Sequence, residues 1–304
     1  MLGDGRFLLA VTGLCLMMAG GFALFLSATG HFLPHDIAYL GMTAKELCGI
    51  NECRIVHFMI HDRVSFGAVL VAIGALYMWL VEFPLKHRQA WAWWTFALSG
   101  GVGFASFLSY LGYGYLDYWH GAATLSLLPC FFAGMVRAWP MLNGPKNIGV
   151  LRQPFHPLDW TTAFGLGRLS LLFTSCGIIG AGITIATVGM TTVFVPQDLA
   201  FMGISVEHLR SINSRLVPLI AHDRAGFGGG LTSGGIAMLL CIWCAPLTRS
   251  LWQVLALAGA IGFSGAIFVH FMIGYTDFIH LLPACGGAAI YCVGLILTFR
   301  RATL

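Results

Sequence analysis

Long apolar runs recur along the chain and alternate with short polar segments. Eight of these runs have the length of a membrane span, and they lie at 7–29, 58–82, 91–114, 119–139, 168–190, 216–246, 251–273 and 280–299. A helix needs about 20 apolar residues to cross the ~30 Å hydrocarbon layer of a membrane. Only helices and closed barrels satisfy the backbone inside lipid. The pattern therefore predicts an all-α polytopic membrane protein with about eight transmembrane helices.

The composition agrees with a membrane protein. Of the 304 residues, 58% are hydrophobic and only 9% are charged. Soluble domains carry about 25% charged residues because their surface faces water. The formal net charge of +4 comes from basic residues in short loops between the apolar runs, so we expect no nucleic-acid partner. The lipid bilayer is the expected partner.

The basic residues are concentrated in every second loop. Of the 16 Lys and Arg residues, those that set the orientation are Arg6, Lys86, Arg88, Arg137, Lys146, Arg152, Arg249, Arg300 and Arg301. By the positive-inside rule these loops face the cytoplasm. This rule places both termini in the cytoplasm and favours the inner (plasma) membrane of a bacterium. The outer side then holds two longer loops, 30–54 and 191–215, and the spacing of Thr43 and Glu46 predicts a capping box in the first of them.

The chain contains an internal repeat. Residues 32–41, FLPHDIAYLG, align with 194–203, FVPQDLAFMG. The triplet His-Asp-Arg at 61–63 recurs at 222–224, and Gly-Tyr-x-Asp-x-x-His at 114–120 recurs at 274–280. We predict two tandem four-helix repeats, residues 1–140 and 168–304, joined by a cytoplasmic linker at 141–167. An even number of helices gives both repeats the same orientation, so a pseudo-twofold axis along the membrane normal should relate them.

The polar residues that the repeat preserves define a candidate site at the outer face. In the first half they are His61, Asp62, Arg63, Tyr115, Asp117 and His120, and in the second half His222, Asp223, Arg224, Tyr275, Asp277 and His280. Ionisable groups at membrane depth are functional candidates because they are costly to bury there. We expect Arg63 to turn toward Gly67, and His61 or Asp62 to face the helices of its own half.

Several occupants of this site are compatible with the residue types. Two His and two Asp in each half suit a divalent metal, Zn²⁺ or Fe, with the ligands His61, Asp62, Asp117 and His120, and His222, Asp223, Asp277 and His280. A salt-bridge network without metal is the structural alternative. A b-type haem held by His61 with His120 and by His222 with His280 is less favoured, because carboxylates beside an axial imidazole suit it poorly. A substrate or quinone headgroup is a further alternative.

Two further histidine and tyrosine features bear on the site. Tyr115 and Tyr275 are possible hydrogen-bond donors to a ligand. His270 is matched by Tyr110 in the first half, so it breaks the internal symmetry. A lone histidine of this kind is more often a satisfied polar residue than a ligand. If only one half is active, this difference would decide which.

Three classes of function fit these observations. The first is a metal-dependent or redox membrane enzyme that uses the duplicated His/Asp/Arg site. The second is a non-catalytic subunit of a larger membrane complex, respiratory or photosynthetic. The third is a transporter with parallel repeats, against which the nearly charge-free middle of the apolar runs argues.

Two of the nine cysteines predict a disulfide. Cys48 and Cys53 lie in the first outer loop, and both are replaced by arginine in the repeat, at Arg210 and Arg215. A pair that is gained or lost together suggests a bond, and the outer compartment of most bacteria is oxidising. The other cysteines lie singly or closely spaced in apolar runs, where cysteine behaves as a small hydrophobic residue.

Overall fold

The computed structural model describes residues 3–108, 115 and 118–303, without the side chains of residues 119, 120, 302 and 303. Within these ranges every regular element is helical. The helices are α1 (Arg6–Thr29), α2 (Pro34–Leu40), α3 (Ala44–Ile50), α4 (Arg54–Leu80), α5 (Ala90–Leu108), α6 (Tyr118–Ala138), α7 (Ala163–Met190), α8 (Pro196–Met202), α9 (Val206–Ile212), α10 (Leu216–Cys244), α11 (Arg249–Ile273) and α12 (Phe278–Thr303).

Seven of the described helices are long and apolar enough to cross a membrane. They are α1, α4 with the π-helical turn Val81–Leu85 that follows it, α6, α7, α10, α11 and α12. The protein is therefore an all-α, membrane-embedded chain. The eighth predicted span, 91–114, corresponds to α5, and residues 109–114 of that span lie outside the described residues. The count of eight spans stays a prediction.

Helices α4 and α10 form the centre of the bundle, and most of their residues are buried. Helix α4 packs against α1 and α11, and α10 packs against α7 and α5. The third long helix of each predicted half therefore lies against the central helix of the other half. The two halves interleave, because each central helix packs against the first long helix of its own half and the third long helix of the other half, and α4 and α10 also pack against each other.

Glycine pairs bring the central helices close to their neighbours. At the α1–α4 contact, a Cβ on Gly20 would lie 2.4 Å from the carbonyl oxygen of Gly67. At the α7–α10 contact, a Cβ on Gly228 would lie 2.7 Å from the carbonyl oxygen of Gly182. Small residues at such crossings allow helix backbones to approach closely in a membrane. These contacts fix the position of the two central helices, which carry the candidate site.

Four short helices, α2, α3, α8 and α9, lie at one end of the bundle. Helices α2 and α8 each begin at a proline and end at a glycine with positive φ, Gly41 at 69° and Gly203 at 65°. The capping box predicted at Thr43 and Glu46 is present, since the Glu46 carboxylate accepts from the Thr43 N–H at 2.7 Å. We refer to this end of the bundle as the α2/α8 end.

Two asparagines join the short helices across the chain. The Asn51 side chain donates to the carbonyl oxygen of Met202 at the end of α8, at 3.1 Å. The Asn213 side chain donates to the carbonyl oxygen of Leu40 at the end of α2, at 2.8 Å. Each asparagine therefore holds the short helix that belongs to the other part of the chain.

The disulfide predicted from the sequence lies beside one of these asparagines. The Sγ atoms of Cys48 and Cys53 are 2.07 Å apart, at bonding distance. The two cysteines enclose Asn51, in the turn between α3 and α4. The pair therefore braces the turn that holds α8.

Candidate metal centre

The two His-Asp-Arg triplets lie on the central helices α4 and α10, at the α2/α8 end. Their side chains do not stay within their own part of the chain. Arg63 on α4 donates to Asp223 on α10 at 2.9 Å and to Asp36 on α2 at 2.7 Å. The expected position of Arg63 beside Gly67 is therefore wrong, because two carboxylates attract the guanidinium group away from the helix surface.

Arg224 on α10 has a matching set of partners. Its guanidinium donates to Asp198 on α8 and to the carbonyl oxygen of Val193, the latter at 2.7 Å. Its Nε atom lies 3.3 Å from the carboxylate of Asp62 on α4. Each arginine thus pairs with the aspartate of a short helix and with the aspartate of the opposite triplet.

Two tyrosines complete this network. The hydroxyl of Tyr115 donates to Asp36 at 2.7 Å, and that of Tyr275 donates to Asp198 at 2.8 Å. Burial disfavours the charged form of Asp36, but the Arg63 guanidinium and the Tyr115 hydroxyl outweigh it, so the pKa of this carboxyl lies below its usual value. Burial and the neighbouring Asp198 carboxylate raise the pKa of Tyr275 well above its usual value.

Asp36 and Asp198 were not among the candidate site residues of the sequence analysis. Both are buried, with exposed fractions of 1% and 0%. The sequence contained the signal, because both occur at the same place in the aligned segments 32–41 and 194–203. Their position in a polar loop concealed the role, since a loop carboxylate is usually solvated.

A cluster of three histidines lies beside this network. His61, His270 and His280 each present one ring nitrogen, and these three atoms all lie within 4.8 Å of one another. The Nε2 atoms of His61 and His270 are 3.0 Å apart. Both side chains are buried, and His280 is partly buried. His61 comes from α4, whereas His270 and His280 come from α11 and α12, so the cluster joins the two parts of the chain.

The second nitrogen of each ring is held in place by an oxygen atom. The Nδ1 atom of His61 lies 3.0 Å from the Asp62 carboxylate, and that of His270 lies 2.6 Å from the carbonyl oxygen of Ala266. The Nδ1 atom of His280 lies 3.2 Å from the Tyr275 hydroxyl, whose hydrogen is given to Asp198. Carbonyl and carboxylate oxygens only accept hydrogen bonds. All three Nδ1 atoms therefore carry the hydrogen, and the lone pairs of the neutral rings are on Nε2.

The remaining predicted site residues take other positions. Asp223 pairs with Arg63, and the ring of His222 lies edge-on to that of Tyr115, with centroids 5.0 Å apart. Asp277 accepts from the backbone N–H of His280 at 2.8 Å, so it caps the start of α12. Asp117 and the side chain of His120 lie outside the described residues. The imidazole neighbours of His61 within the described residues are His270 and His280, both from the second half.

His270 was noted in the sequence as a residue that breaks the repeat, and was interpreted as a satisfied polar residue. The structure places it at the centre of the histidine cluster. The sequence did not connect it with His61, because the two residues are 209 positions apart. The difference between His270 and Tyr110 was the available signal.

An open cleft of 430 Å³ lies beside Tyr275 at the α2/α8 end. Its lining includes Phe201, Tyr275 and Asp277. The ring of Phe201 stacks on that of Tyr275, with centroids 4.6 Å apart and an angle of 15° between the planes. Tyr275 therefore separates the cleft from the histidines.

The arrangement offers three imidazole nitrogens, a charged network that holds two of the rings, and a cleft on the other side of a tyrosine. Imidazole nitrogens suit Zn²⁺, Cu and Fe ions. Comparisons with protein-family models, with curated proteins and with solved structures found no match for this chain.

Proposed function

We propose that this chain is a membrane metalloprotein, in which His61, His270 and His280 bind one divalent transition-metal ion, Zn²⁺ or Fe²⁺, at the outer face. The metal serves a membrane-embedded enzyme of a metal-dependent or redox type. The cleft on the other side of Tyr275 offers such an enzyme a binding site open to the outer solution, one side chain away from the metal. Histidine is the commonest metal ligand among side chains, and three protein ligands with one open position are typical of catalytic zinc sites.

One observation carries the proposal. Two buried imidazoles, His61 and His270, turn their Nε2 atoms toward each other at 3.0 Å, while their Nδ1 hydrogens are used elsewhere. Two lone pairs at this distance repel each other unless a cation lies between or beside them. The cation is either a proton or a metal ion, and a third imidazole close by favours the metal.

The spacing of the ligand atoms supports a metal of this size. Zn–N bonds of about 2.0–2.1 Å place two imidazole nitrogens of a tetrahedral site about 3.3 Å apart. The separation of 3.0 Å between His61 and His270 needs only a small adjustment. A haem with these two axial ligands needs a macrocycle between the rings, and this separation argues against it.

The surrounding charge also favours a divalent cation. The network contains four carboxylates and two guanidiniums, Asp36, Asp62, Asp198 and Asp223 with Arg63 and Arg224. Asp36 and Asp223 lie with Arg63 and His35, whereas beside the cluster Asp62 and Asp198 share the single guanidinium group of Arg224. Buried charges are stable only when they are paired. A cation at the histidine cluster offsets the excess negative charge of this pair, and the two carboxylates act on it through His61 and through Tyr275 and His280 instead of as ligands.

The repeat organisation is part of the proposal. The matching contacts of Arg63 and Arg224, of Tyr115 and Tyr275, and of Asn51 and Asn213 support two parallel four-helix repeats, 1–140 and 168–304, about a pseudo-twofold axis along the membrane normal. The linker 141–167 and both termini then lie on the cytoplasmic side of a bacterial inner membrane. The α2/α8 end is the outer face.

Metal analysis of the purified full-length protein tests the proposal. The protein is loaded with Zn²⁺ or Fe²⁺ in detergent, desalted, and analysed by mass spectrometry for metal content. We expect one equivalent per chain in the wild type and in His222→Ala, the matched histidine of the other triplet, and little or none in His61→Ala and His270→Ala. A wild type without metal, or a His270→Ala variant with full metal content, overturns the proposal.

A further inference from the structure

We infer that Arg224 is the positioning residue of the proposed metal centre, and that Arg63, its counterpart in the repeat, has no such role. This inference rests on the proposed function, because it concerns how two of the three metal ligands are oriented. Arg224 is 5% exposed and lies between two carboxylates, Asp62 and Asp198. Each of these carboxylates leads to a different histidine of the cluster.

The first route passes through Asp62. Its Oδ2 atom faces the Nε atom of Arg224 at 3.3 Å, and its Oδ1 atom accepts from the Nδ1 atom of His61 at 3.0 Å. A carboxylate in this position fixes the tautomer of a metal-binding imidazole and makes it a stronger ligand. The contact with Arg224 is an ion pair without a hydrogen bond, and its attraction for Oδ2 favours the orientation in which Oδ1 points at the ring.

The second route passes through Asp198 and Tyr275. Asp198 accepts from Arg224 through Oδ2 and from the Tyr275 hydroxyl through Oδ1, the latter at 2.8 Å. The same hydroxyl oxygen accepts from the Nδ1 atom of His280 at 3.2 Å. The orientation of His280 therefore depends on a tyrosine whose hydroxyl is fixed by the second carboxylate of Arg224. One guanidinium group thus contacts both carboxylates on which the orientation of two ligands depends.

Arg63 serves as the internal control. It also bridges two carboxylates, Asp36 and Asp223, and it lies in the same end of the bundle. The three cluster imidazoles, however, are held through Asp62, Ala266 and Tyr275. Replacing Arg63 removes an equivalent ion-pair bridge and leaves these three holding contacts in place.

The substitution Arg224→Lys keeps the charge and removes the bridge. The guanidinium is a planar fork whose separate N–H groups reach two acceptors at once, whereas an ammonium is a compact point charge on a flexible stem. The ammonium group that Arg224→Lys introduces can satisfy Asp62 or Asp198 but cannot fix both in the same geometry. One of the two histidines then loses its orientation, and the metal keeps its charge environment.

Cobalt(II) provides a readout that a purely structural role does not move. The d–d absorption spectrum of bound Co²⁺ reports ligand geometry, and titration in detergent reports affinity for the full-length protein. We expect Arg224→Lys to change the spectrum and to weaken Co²⁺ binding by about 10–100-fold, as loss of outer-shell partners does elsewhere. Arg63→Lys should match the wild type in both measurements.

Two tyrosine variants keep the test decisive if Arg224→Lys does not fold. Tyr275→Phe removes the single oxygen atom that links Asp198 to His280, and Tyr115→Phe removes the corresponding oxygen beside Asp36. We expect an altered Co²⁺ spectrum in Tyr275→Phe only. Identical spectra and affinities for Arg224→Lys and Arg63→Lys, or for the two tyrosine variants, overturn the inference. Failure of the wild type to bind Co²⁺ overturns the proposed function instead.

Discussion

Asp62 is a charged group in direct contact with a proposed metal ligand, and its replacement by asparagine removes that charge with little change in shape. The side chain is 1% exposed and lies between the His61 ring and the Arg224 guanidinium. In Asp62→Asn the amide oxygen can still accept from His61, so the ring keeps its tautomer, but the amide NH2 then faces the Nε atom of Arg224 and the ion pair is lost. The negative charge that strengthens the imidazole as a ligand is lost.

The expected loss of metal affinity is modest but measurable. Mutation of an outer-shell partner of a metal-binding histidine costs about 10–100-fold in affinity. This range corresponds to about 1.4–2.8 kcal/mol of binding free energy. Stability also falls, because removing one partner of a buried ion pair costs about 3–5 kcal/mol when no other partner remains. Arg224 keeps Asp198 and the Val193 carbonyl, so we expect a loss of stability below that range.

Asp223→Asn is the matched control for Asp62→Asn. It removes the corresponding aspartate of the other triplet, and Arg63 keeps Asp36 just as Arg224 keeps Asp198. Asp223 is somewhat more accessible, with a side chain 11% exposed compared with 1% for Asp62. Its replacement should therefore cost no more stability than Asp62→Asn, and it should leave metal affinity unchanged.

Competition titration with a zinc-binding dye in detergent measures the affinity of each variant, and thermal unfolding of the metal-free protein measures its stability. We expect a Zn²⁺ affinity about 10–100-fold weaker in Asp62→Asn, and the wild-type affinity in Asp223→Asn. Equal Zn²⁺ affinities in the two variants would refute the argument that Asp62 acts through His61. A loss in both, in proportion to their loss of stability, would refute it as well.

Three further predictions concern the scaffold. Gly228→Ala should destabilise the protein by about 1–3 kcal/mol in thermal unfolding, because the new Cβ would lie 2.3 Å from the backbone of α7. Gly226→Ala on the same helix, where no atom lies closer than 4.0 Å, should cause no such loss, and equal effects of the two variants would contradict this. Mass spectrometry after alkylation should show Cys48 and Cys53 unmodified unless a reductant is added first, and labelling without reductant would count against the bond. The pKa of Asp36 lies below its usual 3.8, so its carboxylate stabilises the fold at neutral pH and this contribution is lost as the pH falls through the lowered value. Asp36→Asn should therefore lower the unfolding temperature more at pH 7 than at pH 3, and an equal loss at both pH values would argue against it.

The helices could be predicted from the sequence because a membrane span depends on local composition. Each apolar run specifies its own helix, and the repeat identified the polar residues His61, Arg63 and Tyr275 as a group. The disulfide was also accessible, because Cys48 and Cys53 are close in the chain. Local spacing, however, says which side chains share a helix face and nothing about which helix lies opposite. The pairing of each arginine with the aspartate of the other triplet depends on how the central helices pack.

The histidine cluster also depends on a contact between helices that local spacing does not predict. His61 and His270 meet because α11 packs against α4, across 209 residues of sequence. No periodicity within either half encodes that contact. Asp36 and Asp198 were missed for a related reason, since their burial depends on the short helices folding back over the ends of α4 and α10. Residues of this kind become recognisable only when the packing of the long helices is known.

The ion pairs between the two triplets have a consequence for the insertion of the chain into the membrane during synthesis. Arg63 lies 160 residues before Asp223, and a ribosome needs roughly 10–30 s to synthesise that length at 5–20 residues per second. During this interval Arg63 has Asp36 nearby, because α2 has already emerged. Asp62 has no arginine partner from its network until Arg224 is synthesised. Its carboxylate therefore lies without this ion pair at the end of a nascent membrane helix. Until α10 is synthesised, the Asp62 carboxylate on α4 must therefore be solvated by water at the membrane surface or by the insertion machinery.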